Sequence, residues 1–133
     1  MILDVGNVLR LEDPKSDQVR HHLRNLPLEA PFLILWDGGG GERFIQTRPY
    51  SGGYRVEWRD SAAVRRHALV NLERAEELLC AYLRRDETVL RDGAAWHTLK
   101  WYNDPYCGLV AAGVVLGAIL TILLAAEFWH MVR

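Results

Sequence analysis

Lysine is almost missing from this chain of 133 residues: Lys15 and Lys100 are the only two, and arginine supplies the other cationic side chains. Lysine and arginine together number 16 and acidic residues 17, for a formal net charge of −1, with the two signs interspersed. A chain so balanced has no basic stripe to neutralise phosphates, so nucleic acid is not an expected partner. It also lacks the polybasic cluster of a protein that rides on a membrane surface. The arginine bias reads as the composition of a GC-rich, bacterial genome. Cysteine is equally sparse. Cys80 falls in a helical pattern and Cys107 at the edge of an apolar run, so no disulfide framework is expected, and reduced thiols fit a cytosolic domain. The amino terminus, Met1-Ile-Leu-Asp-Val, lacks the charged and apolar regions of a secretory signal.

Signatures of catalysis are missing as well. The glycines at 38–41 are followed by Glu42-Arg43-Phe44, which opens a strand, where a phosphate loop would need a helix or a Gly-Lys-Ser/Thr ending. They read as a hairpin turn. His21, His22, His67, His97 and His130 show no metal-ligand spacing, and no serine sits in a Gly-x-Ser-x-Gly elbow. Cys80 has no neighbouring base and reads as a buried structural thiol. The carboxylates Glu42, Glu57 and Asp60 lie on or beside strands, where charges are ordinarily just solvated. No catalytic residue, metal or cofactor is therefore expected.

What the chain does have is a long apolar run. From Pro105 to Ala126 there are 22 residues without a charge, ten of them Leu, Ile or Val. As a helix this run would extend about 33 Å, enough for a hydrocarbon core of about 30 Å. Trp101, Tyr102 and Tyr106 precede it and Phe128 and Trp129 follow it, as interfacial aromatics do at the ends of a spanning helix. The expectation is a single-pass transmembrane tail anchor over residues 103–133, with its span at about 106–127. Arg85, Arg91 and Lys100 precede the span and only Arg133 follows it, which favours a cytoplasmic globular domain at an inner membrane. Within the run, Gly113, Gly117, Thr121 and Ala125 recur every four residues and form a ridge along which a second helix could approach. That ridge allows a homodimer or a contact with a partner's membrane helix.

Residues 1–102 read as one α+β domain, a small antiparallel β-meander with two helices. Leu3 to Leu11 suggests a short strand or extended lead-in. Ser16 is expected to cap a helix to about Asn25, with Val19, Leu23 and Leu26 inward. Three strands follow: Phe32 to Trp36, Glu42 to Arg48, and Tyr54 to Arg59. In the last, Tyr54, Val56 and Trp58 alternate with Arg55, Glu57 and Arg59, so one face meets a core and the other water. Asp37 to Gly41 and Pro49 to Gly53 are the turns between them, and Val64 to Val70 is a weaker fourth strand. Asn71 should cap a helix over 72–85 with Leu72, Ala75, Leu78, Leu79, Tyr82 and Leu83 as its apolar stripe. Asp92-Gly93 would then turn the chain into a final strand from Ala95 to Trp101.

Phe44-Ile45-Gln46, the stretch Gly53-Tyr54-x-Val56-Glu57-Trp58-Arg59-Asp60, the helix ending Ala81-Tyr82-Leu83, and Trp96 together resemble the Imm1-type immunity proteins of bacterial polymorphic toxin systems. The likeness spans roughly Leu23 to Trp101, and the membrane helix departs from that pattern. It implies a non-catalytic module that binds and blocks a cognate toxin. The expected partner-binding residues are Arg48, Tyr50, Arg55, Glu57 and Arg59. Two other readings remain open: a structural subunit of a membrane assembly joined through the glycine ridge, and a membrane-tethered enzyme.

Overall fold

The computed structural model describes residues 1–38, 43–60, 62 and 64–99. The chain divides into two units, Met1–Thr98 and Leu99–Arg133, and every element below belongs to the first. The expected span at 106–127 lies outside the described residues, as do its flanking Trp101, Tyr102, Tyr106, Phe128 and Trp129 and its ridge of Gly113, Gly117, Thr121 and Ala125. Among the described residues no helix is long and apolar enough to cross a membrane.

The first segment is a hairpin. Ile2–Val5 (β1) pairs antiparallel with Leu9–Glu12 (β2), where the sequence suggests one strand or an extended lead-in. Gly6 and Asn7 make the turn with φ of 58° and 59°, in the left-handed region. Gly6 has no room for a side chain either: a Cβ there would lie 2.5 Å from Pro27 Cγ and 2.6 Å from the Ala30 carbonyl oxygen. Ser16–Arg24 (α1) follows, with Val19 and Leu23 buried. Its cap position is held by Lys15, one residue before the expected Ser16, and Lys15 N donates to Gln18 Oε1 at 2.9 Å.

Leu33–Trp36 (β3), Phe44–Tyr50 (β4), Gly53–Arg59 (β5) and Arg65–Val70 (β6) form an antiparallel meander. The β4–β5 turn is tighter than expected. Tyr50 pairs with Gly53 across only Ser51 and Gly52, whose φ values of 49° and 80° suit a two-residue hairpin that follows the twist of its strands. Leu72–Leu83 (α2) is capped by Asn71, whose side chain accepts from Arg74 N at 2.9 Å. It ends two residues before Arg85, which takes a φ of 59°. Glu87–Asp92 (α3) is a third helix where two are expected. Asp86 caps it by accepting from Val89 N at 3.2 Å. The final strand is shorter than Ala95 to Trp101: His97–Thr98 (β7) pairs with β6, and residues 100 and 101 lie outside the described ones.

One seven-stranded antiparallel sheet results, in the order β2-β1-β3-β4-β5-β6-β7. β1 lies between β2 and β3, so α1 carries the chain over it. All three helices belong to one layer, in which α2 packs against β3, β4 and β5 with α1 and α3 beside it. Between layers, Leu3, Val5, Leu33, Leu35, Ile45, Val56 and Trp58 from the sheet meet Val19, Leu23, Leu78, Leu79 and Leu90 from the helices. Because α2 has neighbours on both flanks as well as below, every residue from Leu78 to Tyr82 is buried, Cys80 among them.

Candidate protein-binding face

Strand alternation sends the inward residues to the helices and leaves their neighbours on the opposite face of the sheet, which none of α1, α2 and α3 covers. The pairing register places those neighbours in rows across the strands. One row runs Arg10, Asp4, Ile34, Gln46, Glu57, His67 and His97. Beside it, Glu12, Ile2, Trp36, Phe44, Arg59 and Arg65 form a second row. On the other side Arg48, Arg55 and Leu69 are direct partners.

A shallow groove of about 350 Å³ lies where the first two rows meet, lined by Asp4, Ile34, Trp36, Phe44 and Gln46. Its aromatic rings are half-buried and carry cations. The Arg10 guanidinium lies 5.2 Å from the Trp36 ring centroid, and that of Arg65 lies 5.8 Å from the Phe44 ring. Both distances fall within the range of cation–π attraction. Asp4 also holds the β1–β2 turn, since its Oδ1 accepts from Asn7 N at 3.0 Å.

Glu57 is committed to its neighbours. Its carboxylate accepts from Gln46 Nε2 at 2.9 Å and faces Arg55 and Arg65 at 3.0 and 3.1 Å. His67, across from it on β6, sits with its ring centroid 5.7 Å from that of His97. Burial lowers the His67 imidazole below its ordinary range, and the charge of Arg55 and the nearby His97 act in the same direction against Glu57. Arg10, Arg48 and Arg59, in contrast, have no ion pair among the described residues.

Of the expected partner-binding residues, Arg48, Arg55, Glu57 and Arg59 share this face, and Tyr50 stands 49% exposed at its hairpin end. Arg48 and Arg59 have no ion pair among the described residues, whereas Arg55 and Glu57 pair with each other. The groove itself was not foreseen. Phe32 to Trp36 is apolar throughout, so its pattern does not say which residues face out, and Asp4 belongs to a hairpin that the sequence does not announce. Among the described residues no cluster of three or more His, Cys, Asp or Glu side chains could hold a metal ion. Glu42 lies outside the described residues. Asp60, buried beside β5, is occupied by the β5–β6 loop, accepting from Ala62 N at 2.9 Å and Val64 N at 3.0 Å.

Comparison with known proteins identified no matching family model, no matching curated protein and no matching solved structure.

Proposed function

We propose that this chain is a membrane-anchored, non-catalytic binding protein that holds a protein partner against the open face of its sheet, as an immunity protein or an adaptor would. The observation that carries this reading is the aromatic groove of Ile34, Trp36 and Phe44 on a sheet face that none of the described helices covers. Half-buried aromatic side chains beside arginines are the composition from which interface hot spots are drawn. The apolar run at 105–126 supports the anchor, and the charge bias around it supports a domain on the cytoplasmic side.

Site-specific photo-crosslinking in the producing cell tests the reading. Benzoylphenylalanine in place of Arg48 or Leu69 should yield a discrete protein adduct, and the same group in place of Glu73 or Arg84 on the helical layer should not. Adducts confined to the helical positions would refute the sheet face as the docking surface. The immunity form makes a narrower demand: deletion of the gene must sensitise cells to a toxin encoded beside it.

A further inference from the structure

Resting on that reading, we infer that the partner presents an acidic segment whose central aromatic or aliphatic side chain enters the Trp36/Phe44 groove. The groove is small and open, so it suits one inserted side chain better than an enclosed ligand. Its surroundings set the charge of what comes with that side chain. Arg10 lies over Trp36 from the β2 side, and Arg59 stands opposite Phe44 on β5. Neither has an ion pair among the described residues, and the same holds for Arg48 at the hairpin end.

Of the carboxylates on this face, Glu12 is exposed beside Ile2 at the β2 edge and is outnumbered by Arg10, Arg48 and Arg59, while the other two already have partners. Glu57 is already shared between Arg55, Arg65 and Gln46. Asp4 accepts from the backbone of its own turn. Complementary charge of this kind steers encounter and rejects wrong partners, while the inserted side chain supplies most of the affinity.

The test uses the full chain in zwitterionic detergent micelles and two fluorescently labelled short peptides. One has a phenylalanine flanked by glutamates, and the other has the same phenylalanine flanked by lysines. The acidic peptide should bind at least about tenfold more tightly, and its advantage should shrink as salt rises. W36A should abolish binding, R59E should remove the acidic preference, and R74E on the helical layer should change neither. Far-UV circular dichroism confirms that each variant is folded. Equal binding of both peptides in a Trp36-dependent way would overturn the acidic partner and leave the docking face standing. Binding that ignores Trp36 and Arg59, or arginine-dependent capture of anionic lipid vesicles without peptide preference, would overturn the inference. If crosslinking from Arg48 and Leu69 also fails, the proposed function falls with it.

Discussion

Asp60 shows how a single carboxylate can hold a loop in place. Burial works to raise its pKa, but the bond from Arg66 and the backbone donors of Val64 and Ala62 outweigh that and leave it below the ordinary aspartate range. A depressed folded pKa means that the stabilisation is complete above the unfolded value and is lost as pH falls through the folded one. D60N should therefore cost about 1–3 kcal/mol at neutral pH, because the Arg66 guanidinium and two backbone donors lose a buried, charged acceptor. Wild type and variant should converge at acid pH, where the native carboxyl is also protonated. Thermal melts of the full chain in detergent at neutral and acid pH would check this; a gap that does not change with pH would refute the role of the charge. The sequence placed Asp60 beside a strand, but its partners come from the β5–β6 loop and from Arg66 on β6, which only the folded chain brings to it.

Among elements, the contact between α1 and α2 is the most specific. Glu76 has a side chain only 9% exposed, and its two oxygens meet Arg24 Nε at 2.5 Å and the terminal guanidinium nitrogen at 3.0 Å. Such a fork fixes orientation as well as position. E76Q keeps the size and removes the charge, so α1 amides should exchange faster with solvent while those of the β4–β5 ladder do not change. Hydrogen-exchange mass spectrometry reads both at once, and unaltered exchange in α1 would count against the link. Sequence reasoning could place Glu76 only within the helix over 72–85; it could not see α1 arriving to bury it. The same limit runs through the other elements. β5 was legible because Tyr54, Val56 and Trp58 alternate with charges, and α2 because its apolar stripe follows a capping Asn71. The β1–β2 hairpin was hidden by strands of four residues each, and α3 by a length of six, too short for either period to repeat. The groove was hidden for a different reason, since its lining comes from β1, β3 and β4 and exists only once their register is set.

For the whole molecule, the governing feature is a sheet with one face sealed by α1, α2 and α3 and the other left uncovered by them, preceding an apolar run of sequence. The anchor reading makes its own demand on that run. L116R places a charge near the middle of the uncharged stretch, where arginine costs about 2.5–3.5 kcal/mol in a spanning helix. The variant should move from the carbonate-resistant membrane pellet to the soluble or degraded fraction, and unchanged membrane retention would refute a spanning helix. Mechanics follow from the way the sheet ends. Among the described residues β7 is joined to β6 through two residue pairs, Arg66 with Thr98 and His67 with His97. Just upstream, Trp96 donates from Nε1 to the Leu90 carbonyl oxygen at 2.6 Å and rests 5.7 Å from the Trp58 ring. Any tension on the chain beyond Thr98 thus loads the weakest ladder of the sheet first and then meets a firmly held indole. A tug of that kind would peel His97 away from His67 and bare the edge of β6 while the hydrophobic core stays shut.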